Sequence, residues 1–417
     1  MWQTLTLDQA CELVTDGSHN SPKDSVGGMP MASVKDMTRE GITIESCRTI
    51  SKEDFLLLVK NGCQPKYGDV LIAKDGATCL DTVCVYRQKD EIVILSSIAI
   101  LRPGPNLDSG YLRYYLEAPD TMAMLKSGYI SGSAIPRVVL RDFRRAPITI
   151  PSLPEQRAIA GILGALDDKI ELNRRMNATI KSIIWLIFKS WFVDFDPIHA
   201  KVSGEYLFGM DEDTANLFPS SFEGDVPKGW KFVQFSDFLT HKTDRIGIER
   251  AQEYSATVNG LSLRDNNFIK VLSKSNNKNK KVVKNNLVFG LSRETLNFGV
   301  MKEDIGSVSP VYEIFDIDTN IYIPELLEMY IRMKMDEFIG ILKPAAREGQ
   351  AIDRKYLLSK RILVPDMQIQ KKYQDFCSAF QNQIENNKKE SRTLANLRDS
   401  LLPRLMRGEV RLSSREI

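Results

Sequence analysis

The chain has 417 residues, 43% hydrophobic and 26% charged, with a formal net charge of +2. These values exclude a disordered, collagen-like or strongly polybasic protein, and the length exceeds what one core usually organises. No run of about 18 uncharged apolar residues occurs, and the start MWQTLTLDQACELV lacks a basic, apolar leader, so a cytoplasmic protein without a membrane span is expected.

From the N-terminus, residues 16–22 (DGSHNSP) form a turn-rich loop around His19. Residues 70–73 (VLIA) and 91–101 (EIVILSSIAIL) have the apolar, β-branched character of strands, and 111–117 (YLRYYLE) that of a helix. The hexapeptide GSAIPR follows at 132–137, with Arg137, Arg141, Arg144 and Arg145 close together.

Beyond it, Leu163, Leu166, Ile170, Asn173, Asn177, Ile180, Ile184, Ile187 and Trp191 keep a 3-4 spacing, which predicts a coiled-coil helix. Within it Asp167-Asp168-Lys169 has no partner carboxylate at hand and reads as a solvated face. Residues 194–229, with a charge of about −6, read as an acidic surface connector.

The elements then recur. Trp230 answers Trp2, NLVFG at 286–290 answers VLIA, PELLEMYIRMKM at 324–335 predicts a helix, and GQAIDR at 349–354 nearly repeats GSAIPR. A second helix is expected along Phe376, Phe380, Ile384, Asn387, Leu394, Leu397 and Leu401, with Pro403 interrupting its last turn. A constant offset of 214 pairs Gln156 with Gln370 and Asn173 with Asn387. An Asn in an apolar seam fixes register, whereas an Asn beside the seam simply faces solvent; both readings stay open.

The chain is therefore expected to be α+β, a tandem repeat of two mixed globules joined by two long antiparallel coiled-coil helices with pseudo-twofold symmetry. The expected divisions are 1–150 for the first globule, 151–193 for its helix, 194–229 for the connector, 230–364 for the second globule and 365–410 for the second helix. The repeated hexapeptides predict matching environments for Arg137 and Arg354.

Catalytic apparatus is missing from the sequence. There is no GK dipeptide for a Walker A loop, no DPPY- or NPPF-type tetrapeptide and no Glu-x-Lys triplet. Six cysteines without a CxxC pair and three histidines argue against zinc. A non-catalytic binding role follows, and two diverged globules suit two unlike half-sites on duplex DNA.

Candidate phosphate contacts are Lys270, Lys274, Lys278, Lys280 and Lys281 in the loop KVLSKSNNKNKKVVK, and Arg137 and Arg141. His19, Lys35, Arg293, Arg354 and Lys355 complete the candidate DNA-binding set, on charge and position. The competing readings are a merely solvated Lys/Asn loop and arginines paired within the fold.

PSLPEQRAIAGILGALDDKIELNRRMN (151–177) with SWFVDFDP (190–197) resembles the central conserved region of the DNA specificity subunits of type I restriction-modification systems. FPSSFEGDVPKGW (218–230) resembles the lead-in to their second target recognition domain, and LRDSLLPRLMRGEVRL (397–412) the end of their second conserved region. The resemblance implies a recognition subunit that reads an asymmetric bipartite site on double-stranded DNA. It implies partnership with two methyltransferase subunits and with ATP-dependent restriction subunits. No cofactor is expected in this chain; adenosylmethionine, ATP and Mg2+ are expected on the partners. A recognition subunit for a fused methyltransferase-nuclease, and a coiled-coil scaffold that never touches DNA, are the alternatives.

Overall fold

The computed structural model describes residues 2–132, 136–205, 207, 209–249, 251–264, 278–290, 295–344 and 350–411. They fall into two compact units, residues 1–174 with 387–417, and residues 175–386. Two 40-residue helices, Leu153–Phe192 and Met367–Met406, each give one half to either unit. At 1.5 Å per residue each is about 60 Å long.

In the first unit an antiparallel sheet has the strand order Cys11–Asp16, Ile98–Pro103, Val70–Ala73, Val83–Val85. The uniformly apolar run at 70–73 is explained by burial on both faces. Val70 and Ile72 join a core with Tyr111, Leu112, Ile159 and Leu163, while Leu71 and Ala73 meet Ala32, Ile94 and Ile100. The predicted strand at 91–101 is two strands, Val93–Ile94 and Ile98–Pro103, because the Ile98 amide turns back onto the Leu95 carbonyl.

In the second unit the order is Leu239–Lys242, Glu313–Ile317, Leu287–Gly290, Asn297–Val300, the same topology. Helix Pro324–Met333 buries Leu326, Leu327 and Ile331 against it. The acidic segment after the first long helix carries helices Asp196–Ser203 and Glu212–Leu217, and anchors Ile198, Met210 and Phe218 in this unit's core. Trp191 meets Phe218 and Phe376 edge-on at 5.2 and 5.6 Å.

The offset of 214 holds for the second strand of each unit's closing pair, Pro147 answering Arg361, while the first strands are 228 apart. Gln3–Thr6 pairs antiparallel with Pro147–Ile150, and Lys231–Gln234 with Arg361–Val364. The hexapeptides, 217 apart, are out of step with it. Arg137 lies in the two-residue strand Arg137–Val138, whereas Arg354 opens helix Arg354–Ser359, whose counterpart is Leu140–Phe143. The expectation of matching environments for these two arginines is thus overturned. Strand pairing and helix starts set the equivalence, and they match Arg354 with Leu140.

The helix seams are partly as expected. In the first unit Leu163, Leu402 and Leu405 share one core, and Asn173 and Asn387 are buried, so neither Asn turns to solvent. Leu397, placed in the seam by spacing, is 45% exposed; Arg398 faces inward instead, and Pro403 is accommodated within the helix. In the second unit Tyr373 and Cys377 are buried where the spacing named Phe376 and Phe380.

Candidate nucleic-acid interface

Each globule is fastened to a long helix by one buried glutamine. The Gln156 side chain donates to the carbonyls of Asn106 and Pro151, both at 3.0 Å, and accepts from the Asp108 amide at 2.9 Å. Gln370 donates to Ile321 and Pro365 at 3.1 and 3.0 Å and accepts from the Ile323 amide at 3.0 Å. Both are fully buried, and the motif that holds them opens each helix. In the first unit Gly110 permits close helix contact, since a Cβ there would lie 2.9 Å from that of Ala160.

Asp167 is not a solvated face. It accepts from Arg398 at 2.6 Å, Tyr114 at 2.8 Å and Arg113 at 3.1 Å, tying both long helices to the first globule. Burial alone would raise its pKa, but these donors and the nearby Arg39 hold it below the usual carboxylate value. Asn173 bonds the Glu390 carboxylate at 2.7 Å, and Lys169 reaches the same carboxylate at 3.3 Å.

Within the first unit a line of alternating charges ends at two predicted contacts. The His19 imidazole lies 3.3 Å from Asp16, Asp16 3.4 Å from Lys74, Lys74 3.0 Å from Asp75, and Asp75 3.6 Å from Arg137. Lys74 is only 2% exposed, its ammonium lies between the two acids, and His19 and Arg137 at the ends of the line remain at the surface. Arg144 is bound to the Val14 carbonyl through two N–H groups, a role inside the fold.

The second unit gathers a different set. Lys280 donates to the Tyr312 carbonyl, and burial lowers its pKa, with Glu313 opposing that shift and Arg354 and Arg245 adding to it. Lys281 is paired with Glu249 at 2.8 Å. Glu313 also lies 2.5 Å from His241 Nε2, and His241 Nδ1 faces an Arg354 N–H at 3.2 Å. A cleft of about 790 Å³ beside Arg354 is lined by Glu313, residues 351–356 and Ser359.

Residues 1–182 match the family model described as the type I restriction modification DNA specificity domain. Over that stretch the chain resembles this family. It is 26% identical over 322 residues to the type I restriction enzyme MjaIX specificity subunit of Methanocaldococcus jannaschii, covering 74% of this chain and 71% of that one. It is 25% identical over 406 residues to the HindI specificity subunit of Haemophilus influenzae, covering 83% and 87%. The crystal structure of the type-I restriction-modification system S subunit from M. genitalium shares the fold, with a TM-score of 0.56, 14% identity and coverage of 97% and 96%.

In this chain Lys35, Lys278 and Lys355 are exposed, and no hydrogen bond or ion pair holds their ammonium groups among the described residues. Arg141 is exposed beside Asp142. Lys270, Lys274 and Arg293 lie outside the described residues. Sequence reasoning missed Asp16, Lys74 and Asp75, and also His241, Arg245 and Glu313, because nothing in their local sequence marks them. Their meeting is made by strand pairing. No cluster of His, Cys, Asp or Glu suited to a metal ion occurs among the described residues, and no helix there is long and apolar enough to cross a membrane.

Proposed function

We propose that this chain reads DNA sequence for a type I restriction-modification complex, each unit reading one half of an asymmetric bipartite site. The observation that carries this reading is a conserved frame with unlike contents. Sheet topology, closing strands and the glutamine fastening recur in both units, while the exposed charges differ. One unit presents His19 and Arg137, the other Arg354 and Lys355. Diverged copies read different half-sites, whereas identical copies would read a palindrome.

The partners in this reading are two methyltransferase subunits and ATP-dependent restriction subunits. Adenosylmethionine, ATP and Mg2+ reside on those partners, and this chain supplies recognition without catalysis. The test is an exchange of residues 1–150 for the equivalent segment of another specificity chain, followed by methylome sequencing. One half of the methylated motif changes and the other stays. An unchanged motif, or a motif changed in both halves, defeats the assignment.

A further inference from the structure

Glu313, His241 and Arg354 form a relay that the scaffold itself does not need. Strand pairing sets Val70 opposite Leu101 and Leu287 opposite Phe315, so Leu101 and Phe315 are equivalent. Their partners on the first strand are Val14 and His241. Ala99 and Glu313 are likewise equivalent, opposite Ile72 and Phe289. Leu140 and Arg354 are the first residues of the matching short helices. The first unit thus fills all three places with Ala99, Val14 and Leu140, and folds around the apolar version.

The relay fixes a geometry. An ionised Glu313 accepts the Nε2 proton of His241, which leaves the Nδ1 lone pair facing the Arg354 guanidinium at 3.2 Å. His241 is itself packed on the Phe315 ring, with centroids 5.4 Å apart. One N–H of Arg354 is engaged in this way. No ion pair holds the guanidinium among the described residues, and its other donors remain beside the 790 Å³ cleft. A guanidinium with one edge anchored and the other free is suited to the O6 and N7 acceptors of guanine in the major groove.

We propose that Arg354 reads a guanine in the half-site of the second unit, with His241 and Glu313 as its positioning residues. The proposal rests on the DNA-recognition reading above. Unlike a phosphate contact, it makes affinity depend on one base pair.

The test uses the full chain reconstituted with its methyltransferase partner, on duplexes carrying the methylated motif and each single-base variant of it. Arg354→Ala lowers the preference for one G·C pair roughly 5- to 150-fold, with binding to random duplex nearly unchanged. His241→Phe, which keeps the packing on Phe315, reduces the preference at the same pair, and so does Glu313→Ala. His241→Gln, able to accept from Arg354 and donate to Glu313, restores most of it. Equal weakening on every duplex overturns the assignment and makes Arg354 a phosphate contact, with DNA recognition intact. Loss at the same pair in His241→Phe without recovery in His241→Gln removes the positioning role. No selective binding by the unsubstituted complex overturns the DNA reading along with it.

Discussion

Gln156 and Gln370 make the same three hydrogen bonds, each donating to two carbonyls and accepting one amide at the start of a long helix. Each is buried where water cannot replace a lost partner. Gln156→Ala orphans two carbonyls and an amide, and is expected to cost about 2–4 kcal/mol. Gln156→Glu is expected to be worse, because a carboxylate has no N–H to donate. Thermal unfolding of the two variants checks both the size and the order.

Asp167 gathers Arg398, Arg113 and Tyr114. Removing it by Asp167→Ala leaves Arg113 with Glu117 and Arg398 with Asp399 but breaks the tie between helices and globule, and is expected to destabilise by about 2–3 kcal/mol at neutral pH. Its folded-state pKa lies below the ordinary aspartate value of 3.8. The contribution is therefore complete above that value and lost as pH falls through the lower, folded one. Unfolding curves from pH 7 to pH 3 should show the gap between variant and parent closing at the acid end; a gap constant with pH contradicts the ionic account.

Asn173 is a fully buried polar residue in an apolar seam, bonded to Glu390. Asn173→Leu is expected to hold or raise the melting temperature while relaxing register. Cysteines at Lys169 and Glu390, whose charged ends meet at 3.3 Å, report on this when joined by a bifunctional thiol reagent that spans the two side chains. The parent should crosslink at that pair alone, and the Leu variant also when the second cysteine is moved one turn to Leu394.

The lysines should separate by how they are held. Lys278→Ala and Lys355→Ala remove exposed, unengaged ammonium groups, so each should weaken binding to all duplexes and lower the salt slope by about 1. Lys280→Ala removes a half-buried ammonium already donating to Tyr312, and a smaller change in slope is expected. Titrations at several salt concentrations measure all three.

The parts legible in the sequence were those written in local pattern. The 214-residue offset, with its paired glutamines, and the 3-4 spacing announced the duplication and the helices, but not that the glutamines fasten the globules to them. The more eye-catching hexapeptides misled, since their letters agree at an offset of 217 while the short helix and strand that follow them match at 214. Spacing also chose Leu397 over Arg398, because hydrophobicity scales rank a leucine first and the acid that draws Arg398 inward, Asp167, is 231 residues away. The relay of Glu313, His241 and Arg354 was illegible for the same reason: its members are brought together by a sheet, and two of them carry no local signal.

One further pair of equivalent positions records how far the copies have separated. Asp69, almost fully buried, accepts two N–H groups from Arg102 at 2.7 and 2.8 Å, while its counterpart Asn286 donates to Asp316 at 3.0 Å. The negative charge has moved from one strand to its neighbour. A gene crossover falling between these strands would set Asp69 against Asp316, two acids with no cation, or Asn286 against Arg102, a cation with no acid. Exchange between the two halves is thereby disfavoured at a point inside the sheet and costs less at its edges.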